Sequence, residues 1–419
     1  MAVDAVIIGL GYVGLPLALE ATRAGRKVLG FDINSGVVDD LNAGRSHVDD
    51  LSDADIAEMI AGGFEATTDE SRIGEADVAV ICVPTPLSEE GGPDLRAVES
   101  AVDAVARNLH EGMLVILEST TYPCTTDEVV RPRLEAGGLV AGRDFHLAFS
   151  PERIAPGNEQ FGAKNTPKVV GGQTPACTEA AADFYGSFVD SVVRAKGTRE
   201  AETAKLLENT YRHINIALVN EMARFCHELG IDLWDVIDAA ASKPFGFQAF
   251  YPGPGVGGHC IPIDPNYLSY NVRARLGYPF RFVELAQEIN SSMPGYVVTR
   301  IQDLLNTEGK PLKGSEVLLL GVTYKPNIAD QRESPAVPLA RHLMAKGATV
   351  HYHDPHVTDW SSVPEATRVE DAAAGAARAD LPVLVQNHRE YDVDALAAAA
   401  QVFFDTRGKA TEAEKVSRR

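Results

Sequence analysis

Cysteine is scarce in this chain of 419 residues, and the five cysteines that it has are scattered. They form no CxxC pair and show no spacing typical of a metal site, which argues against a disulfide framework and a structural metal centre. A reducing compartment fits this usage best, so we expect a cytoplasmic protein without a bound metal. The cysteines are Cys82, Cys124, Cys177, Cys226 and Cys260.

The chain has fewer basic than acidic residues, and it has no long apolar runs. The chain has 38 Lys and Arg against 59 Asp and Glu, a formal net charge of −21. This acidity argues against nucleic acid or an anionic membrane surface as a partner. No apolar run is long enough to predict a membrane span, and the N-terminus lacks the basic region of a signal peptide. Any anionic ligand must be held by local groups that act against the overall field.

Strand and helix patterns alternate in two regions of the chain. Apolar strands such as "DAVIIG" and "ADVAVICVP" alternate with helical segments early in the chain, and the alternation resumes at "SEVLLLGVTY". This order predicts an α/β protein with two Rossmann-like, doubly wound parallel sheets. Between them, "EAETAKLLENTYRHINIALVNEMARFCHELG" predicts one helix of about thirty residues, followed by a small helical domain. We expect domains at 1–198, 199–305 and 306–408, and a frayed tail at 409–419.

A glycine-rich turn joins the first predicted strand to the first predicted helix. Gly9, Gly11 and Gly14 form GxGxxG there, which permits the tight turn and a close approach of a pyrophosphate to the helix N-terminus. Asp32 ends the next strand, 18 residues after Gly14. A carboxylate there can accept a hydrogen bond from a ribose 2′-hydroxyl and would repel a 2′-phosphate, so NAD is favoured over NADP. A purely structural tight turn is the alternative.

The stretch "GPGVGGHCIPIDP", from Gly253 to Pro265, is crowded with glycine and proline and contains Cys260. It predicts a loop, because these residues break helices and strands. Glycines let backbone and ligand approach closely, and a thiolate can attack an aldehyde carbon. Cys260 is therefore a candidate nucleophile, with Asp264 four residues on; the alternative is a buried structural cysteine.

The long predicted helix carries polar residues on one face. Lys205, Asn209, Arg212 and Asn220 follow spacings of four, three and eight residues. Such a stripe in an otherwise apolar helix predicts a wet site, whereas a solvated outer face is the alternative.

Two predicted strands of the first sheet end in glutamates. Glu118 and Thr120 lie in "LESTTYP", and Glu152 lies in "FSPERIAPGN". Ligands of parallel sheets bind at the carboxyl ends of strands, so these residues are candidates for a site. An isolated glutamate at a strand end is about as often an ordinary surface group.

Taken together, these motifs resemble the UDP-glucose/GDP-mannose dehydrogenase family of nucleotide-sugar 6-dehydrogenases over nearly the whole chain. The resemblance rests on "GLGYVGLPLA", "ESTTYP", "SPERIAPGN", "KLLENTYRHINIALVNE", "GPGVGGHCIPIDP" and "GVTYKPNIADQRESP". Within the family, "YRHINIALVNE" and "SPERIAPGN" look like the branch that oxidises N-acetylated UDP-hexosamines, and "CIPIDP" looks closest to UDP-N-acetylglucosamine 6-dehydrogenases.

The resemblance implies a role for each catalytic residue. Cys260 matches the nucleophile. Lys205 and Asn209 match the pair that stabilises oxyanion character at C6, and Asp264 matches the carboxylate that assists proton removal with Lys205 and a water. The remaining catalytic matches, to residues that position or activate water, are Thr120 and Glu152.

The resemblance also implies two sets of binding residues, and basic groups of the C-terminal domain could hold phosphates. The expected NAD-binding residues are Gly9, Gly11, Tyr12, Val13, Gly14, Asp32, Thr85, Thr120 and Arg332. The expected UDP-sugar-binding residues are Glu152, Arg153, Lys205, Asn209, Arg212, Tyr251, Gly257, Lys325 and Arg407.

Three positions depart from the family pattern. Pro156 stands where UDP-glucose-specific members have a second glutamate, and Ile263 stands where they have a lysine before the aspartate. Both fit the N-acetyl branch, and neither position supplies a hydrolytic base here. Cys124 stands where glycine is expected in "TYPGTT", and no functional reason for it follows from the sequence.

The implied reaction is a four-electron oxidation of C6 to a uronic acid through a thiohemiacetal and a thioester on Cys260, with two NAD molecules reduced. UDP-N-acetylglucosamine is the favoured substrate; UDP-N-acetylmannosamine, UDP-glucose and a TDP-sugar stay open. A one-step hydroxyacid dehydrogenase or a non-catalytic NAD-binding sensor are the rival functions, and NADH per substrate separates the three as two, one or none. The family's long helix packs against its mate, so we expect a homodimer or an assembly of dimers.

Overall fold

The computed structural model describes residues 3–48, 51–86, 92–153, 160–258, 261–411, 413 and 415–418. Cys260 and Pro156, both singled out above, lie outside these ranges. The chain divides into two compact units: unit 1 is Met1–Glu208 with Asn266–Gly277, and unit 2 is Asn209–Pro265 with Tyr278–Arg419.

The strands are β1 (Val3–Ile8), β2 (Val28–Phe31), β3 (Glu65–Thr67), β4 (Ala76–Ile81), β5 (Leu114–Leu117), β6 (His146–Phe149), β7 (Lys168–Gly172), β8 (Val192–Arg194), β9 (Glu316–Leu320), β10 (Thr349–His353), β11 (Thr367–Arg368), β12 (Leu381–Leu384), β13 (Phe403–Asp405) and β14 (Val416–Arg418). The helices are α1 (Gly14–Arg23), α2 (Ser35–Asn42), α3 (Asp53–Ala61), α4 (Arg96–Asn108), α5 (Arg131–Glu135), α6 (Pro175–Gly186), α7 (Thr198–Glu228), α8 (Leu233–Ala241), α9 (Asp264–Leu276), α10 (Arg281–Thr307), α11 (Ala336–Ala345), α12 (Ala372–Arg378) and α13 (Val393–Ala399).

Unit 1 is built on one eight-stranded sheet in the order β3-β2-β1-β4-β5-β6-β7-β8. Its strands are apolar on both faces because helices cover both sides. Within β1, Ala5 and Ile7 belong to the core cluster on one face, and Val6 and Ile8 belong to the cluster on the other. The neighbouring strands pair in parallel, except that β6 and β7 are antiparallel.

Unit 2 contains a six-stranded, all-parallel sheet in the order β11-β10-β9-β12-β13-β14. From β9 the chain first builds one side of the sheet, through β10 and β11. It then returns to the other side of β9 and builds β12, β13 and β14. The loops that follow β9 and β12 therefore lead away from each other at the β9–β12 junction. In sheets of this kind ligands bind at such a junction, outside the carboxyl ends of the strands. The predicted class, two doubly wound sheets with a long helix, is confirmed; the antiparallel β6–β7 pair is the departure from purely parallel pairing.

The C-terminal segment differs from the prediction of a frayed tail. Residues 416–418 form β14, which pairs in register with β13. The Arg418 guanidinium lies 3.1 Å from the Asp232 carboxylate and donates to the Ala410 carbonyl oxygen at 2.7 Å. The tail prediction is therefore wrong for this segment, because backbone pairing at a sheet edge does not require apolar side chains.

Two helices are much longer than the others. The predicted thirty-residue helix is α7, which has 31 residues, and α10 has 27. Neither these nor any other helix of the described chain combines the length and apolarity that crossing a membrane requires.

Candidate active site

The glycine-rich turn lies between β1 and α1, and its three glycines serve different purposes. Gly9 has φ +91°, and a Cβ on Gly14 would lie 1.9 Å from the Gly9 carbonyl oxygen, so the chain's own packing requires both. A Cβ on Gly11 would meet no described atom within 4 Å. Packing of the chain therefore does not require glycine at position 11. The open space there fits the close approach of a dinucleotide pyrophosphate. Tyr12 is 39% exposed beside this turn, and Val13 precedes the first residue of α1.

Asp32 follows β2 and faces the same turn. Its Oδ2 accepts a hydrogen bond from Leu10 N at 2.9 Å, and its Oδ1 accepts one from Asn34 N at 2.9 Å. Each carboxylate oxygen keeps a further acceptor site, so Asp32 could still accept from a ribose hydroxyl. The preference for NAD over NADP stays a prediction.

Thr85 and Thr120 follow β4 and β5 and are joined directly. The Thr85 hydroxyl donates to the Thr120 carbonyl oxygen at 2.7 Å, and the Tyr267 hydroxyl donates to the Thr85 carbonyl oxygen. Two predicted NAD-site residues are thereby brought together at the carboxyl ends of adjacent strands.

Glu118, at the end of β5, is a buried anchor. Its carboxylate forms an ion pair with Lys168 and accepts a hydrogen bond from the Tyr185 hydroxyl at 2.5 Å. Burial raises the pKa of Glu118 to about 7. Burial alone would lower the pKa of Lys168, but the charges of Glu118 and Glu152 raise it. The surface interpretation of Glu118 is therefore wrong, and Glu152 lies within the field of the same buried lysine.

The side chain of Arg153 contacts residues of unit 1. It forms an ion pair with Glu208 on α7 at 2.8 Å and donates to the Pro167 carbonyl oxygen at 2.6 Å. Its predicted contact with substrate stays a prediction.

Glu202 is a residue that the sequence analysis missed. It is 1% exposed on α7, and its carboxylate accepts from Cys124 N at 2.6 Å, from Thr126 N at 2.8 Å and from the Thr126 hydroxyl at 2.7 Å. Burial raises the pKa of Glu202 to about 7, although these hydrogen bonds act in the opposite direction. The available signal was its position three residues before Lys205, on the same side of the helix.

Cys124 is explained by the same contacts. Its φ is +78°, in the left-handed region that glycine enters without penalty, which is why glycine is expected there. The bond from its backbone N–H to Glu202 supports that conformation. Cys124 therefore has a strained backbone, and its thiol needs no separate role.

Three members of the polar stripe on α7 are buried, which contradicts the solvated-face alternative for them. Lys205 is 6%, Asn209 4% and Asn220 0% exposed, whereas Arg212 is exposed. Within the ranges that the structure describes, Lys205 has no ion pair. A buried ammonium group without a counter-charge favours a nearby ligand that carries negative charge.

Asn209 lies against a predicted catalytic carboxylate. Its Nδ2 donates to the Asp264 Oδ2 at 2.5 Å, and both side chains are buried, at 4% and 2% exposure. The two residues are 55 positions apart in the sequence. The structure thus joins the middle of α7 to the end of the Cys260 loop.

Asn220 holds the other end of that loop. Its Oδ1 accepts from Gly253 N at 3.0 Å, and its Nδ2 donates to the Asn290 Oδ1 at 2.8 Å. The Asn290 amide in turn donates to the His213 carbonyl oxygen at 3.2 Å. Asn220 is therefore a positioning residue for the glycine-rich loop.

The glycine-rich loop packs against the segment that follows β9. Gly258 N donates to the Arg332 carbonyl oxygen at 3.1 Å, and a Cβ on Gly257 would lie 2.6 Å from the Glu333 carbonyl oxygen. Gly257 is thus explained by packing of the chain itself. Lys325, half-buried, and Arg332, exposed and paired with Asp330 at 2.5 Å, lie in this segment.

Arg407 reaches the start of the same loop. A Cβ on Gly253 would lie 2.9 Å from the Arg407 Nη1, and the Arg407 Nε donates to the Val385 carbonyl oxygen at 2.7 Å. Burial lowers the pKa of Arg407 to about 10, so the guanidinium stays charged at neutral pH. Tyr251, 48% exposed, instead donates its hydroxyl to Asp238 at 2.8 Å.

Three family models match consecutive parts of the chain. They are the NAD binding domain (residues 3–189), the central domain (199–292) and the UDP binding domain (318–412) of the UDP-glucose/GDP-mannose dehydrogenase family. The chain belongs to this family. It is an NAD-dependent nucleotide-sugar dehydrogenase, as the resemblance predicted.

Similar proteins carry different sugar names. The chain is 34% identical to the NDP-N-acetyl-D-galactosaminuronic acid dehydrogenase of Ralstonia nicotianae, over 96% of this chain and 95% of that protein. It is 35% identical to the UDP-N-acetyl-D-glucosamine 6-dehydrogenase of Pseudomonas aeruginosa, over 95% and 90%. The structure of UDP-D-ManNAc dehydrogenase from Pyrococcus horikoshii has a TM-score of 0.90 with 30% identity, covering 99% of this chain and 98% of that one.

We predict that Glu202→Gln destabilises the protein by about 1–3 kcal/mol, because the amide nitrogen would face a backbone N–H and leave it without an acceptor. Denaturant unfolding measures the change. The matched control is Glu200→Gln, an exposed glutamate in the first turn of the same helix. Equal stability of the two variants would show that the Glu202 contacts do not matter.

Proposed function

We propose that the enzyme oxidises the C6 hydroxyl of a UDP-N-acetylated hexosamine, with UDP-N-acetylglucosamine as the favoured substrate, to the uronic acid. The observation that carries the proposal is the buried Asn209–Asp264 pair, which lies one helical turn beyond the buried Lys205 and at the end of the Cys260 loop. UDP-N-acetylmannosamine, UDP-glucose and TDP-glucose are the alternative substrates. We further propose that the enzyme is cytoplasmic and that it makes precursors for polysaccharide synthesis.

The proposed chemistry assigns one task to each group. The glycine turn at Gly9–Gly14 and Asp32 would hold NAD, which would supply the hydride acceptor for each of the two oxidations. Lys205 and Asn209 stabilise negative charge on the C6 oxygen, and Asp264 helps to remove its proton. Cys260 adds to the resulting aldehyde as a thiohemiacetal, which the second oxidation converts to a thioester. Water, positioned by Thr120 and Glu152, then releases the acid and restores the thiol.

The experiment that tests this function counts NADH formed per sugar consumed. Two NADH per UDP-N-acetylglucosamine, with the uronic acid as product, are expected. One NADH would favour a one-step hydroxyacid dehydrogenase. A panel of nucleotide sugars assayed in parallel compares the alternative substrates by kcat/KM.

We predict that Cys260→Ser lowers acid formation at least about a hundredfold while NAD binding survives, because a hydroxyl is a far poorer nucleophile than a thiolate at neutral pH. Steady-state turnover and NAD titration measure the two effects. Cys226→Ser is the control, since Cys226 is buried in the cluster between α7 and α8. Near-normal turnover of the Cys260 variant would remove covalent catalysis from the mechanism.

Arg212 supports the choice of an N-acetylated sugar. It lies one turn beyond Asn209, is exposed, and forms no ion pair with any residue that the structure describes. The alternative is an arginine that only pairs with Glu208 or Glu221 on its own helix. Neither pair is present among the described residues, and Glu208 instead pairs with Arg153. A guanidinium with unoccupied donors could bind the acyl oxygen of the substrate or the new carboxylate.

We predict that Arg212→Leu lowers kcat/KM for UDP-N-acetylglucosamine more than for UDP-glucose, by about ten- to a hundredfold, the value of a lost hydrogen bond to a charged donor. Arg224→Leu, a substitution further along α7, is the control. Equal losses on both sugars would place Arg212 outside sugar selection.

We also propose that the enzyme is a homodimer that pairs through α7. The helix exposes apolar residues at heptad spacing, since Tyr211, Leu218 and Phe225 are 45%, 55% and 45% exposed, and Leu207 is 66% exposed. Exposed apolar stripes of this kind favour helix–helix association.

We predict a dimeric mass for the wild type and a monomeric mass for Leu218→Asp, because a charge in an apolar interface is costly to desolvate. Light scattering at micromolar concentration measures both. Leu276→Asp, which changes a leucine of similar exposure on α9, should stay dimeric. A monomeric wild type would contradict the proposal.

A further inference from the structure

We propose that His388 is a positioning residue that holds the Lys325 loop in the shape that binds the nucleotide phosphates. His388 lies in the loop after β12 and is 0% exposed, and Lys325 lies in the loop after β9. These loops diverge at the junction where the sheet of unit 2 is expected to bind its ligand. The inference rests on the proposed role of Lys325 in substrate binding.

The hydrogen bonds of His388 define its tautomer. Its Nδ1 lies 3.0 Å from Asn327 N, and because a backbone N–H only donates, Nδ1 must be the acceptor. The proton is therefore on Nε2, which donates to the Asp354 Oδ2 at 3.1 Å. Burial alone would raise the pKa of Asp354, but the bond from His388 and two backbone N–H bonds outweigh it, so the pKa is lowered.

The partners of His388 lie at both ends of the Lys325 loop. At the near end, Asp354 Oδ2 also accepts from Val322 N at 2.7 Å. The Thr323 hydroxyl donates to the Lys325 carbonyl oxygen at 2.9 Å and lies 3.3 Å from the His388 Nε2. His388 and Asp354 therefore fix the backbone on the N-terminal side of Lys325.

At the far end, Asn327 adopts a left-handed conformation, with φ +64°. Its backbone N–H donates to His388, and its Oδ1 accepts from Arg389 N at 2.8 Å. Asparagine enters this region more readily than most residues other than glycine, and the two hydrogen bonds hold Asn327 in it. The loop on either side of Lys325 is thus tied to the β12 loop through His388 and its neighbour.

A metal site is the competing interpretation, because ligand atoms of His356, His388 and Glu390 lie within 4.8 Å of one another. Both ring nitrogens of His388 already form hydrogen bonds: Nδ1 accepts from Asn327 N, and Nε2 donates to Asp354. An ion at His388 would have to displace Asn327 or Asp354 and would dismantle the loop. The positioning role is therefore the better account of this buried histidine.

The test compares two variants, each of which keeps a polar atom near only one ring-nitrogen position of His388, by calorimetric titration of the full-length protein with UDP and with NAD. In His388→Asn the side-chain oxygen can replace Nδ1 as the acceptor for Asn327, whereas in His388→Gln the amide can reach Asp354 but leaves Asn327 N without an acceptor. We expect His388→Gln to raise the Kd for UDP by about tenfold or more, His388→Asn to stay much closer to wild type, and the Kd for NAD to be unchanged in both.

Two controls separate this inference from a general loss of stability. His351→Leu changes another histidine of the same sheet and should leave the Kd for UDP unchanged. In a Lys325→Met background, His388→Gln should cost much less than in wild type, because residues that act as one unit are not additive. Equal Kd values for UDP in wild type and His388→Gln, or full additivity with Lys325→Met, would overturn the inference. Failure of the wild type to bind UDP would overturn the proposed function, and this inference with it.

Discussion

Helix α7 supplies hydrogen-bond acceptors for backbone N–H groups of two loops. Glu202 accepts from Cys124 N and Thr126 N, and Asn220 accepts from Gly253 N. A buried N–H group left without an acceptor costs about 1–3 kcal/mol, so these loops keep their shape only with α7 in place. In unit 1 the loop held in this way follows Thr120, and in unit 2 the loop held in this way begins at Gly253, ahead of Cys260.

This arrangement explains why so many polar side chains are buried on an otherwise apolar helix. Lys205 follows the Glu202 anchor in unit 1, and Asn209 precedes the Asn220 anchor in unit 2. A helix is stiff over this length, because each residue advances only about 1.5 Å and every interior N–H is bonded. Asn209, on the same helix as the Asn220 anchor, donates to the Asp264 Oδ2 at 2.5 Å. Pre-organisation of this kind is what stabilisation of a developing oxyanion requires.

Local sequence patterns predicted the features that are determined by residues close together in the chain. The glycine turn, the length of α7 and the alternation of strands and helices all follow from periodicity and from the steric limits on glycine. Contacts between distant residues could not be predicted in the same way. Nothing around Glu202 or His388 shows that their partners lie in loops some 76 and 61 positions away. The β14 strand was missed for a related reason, since an edge strand can pair through its backbone whatever its side chains are.

Sugar choice depends on far fewer contacts than the fold does. Relatives of nearly equal identity to this chain are named for N-acetylgalactosaminuronic acid and N-acetylglucosamine, and the matching structure for N-acetylmannosamine. N-Acetylgalactosamine and N-acetylmannosamine each differ from N-acetylglucosamine in the direction of a single substituent. One hydrogen bond to a charged donor is worth about 1.5–3 kcal/mol, enough to reverse such a preference without moving the backbone. The two sheets and α7 can therefore stay constant while single side chains at the sugar change the preference. The proposed contact of Arg212 with the acyl group is an example, since it would separate N-acetylated sugars from UDP-glucose.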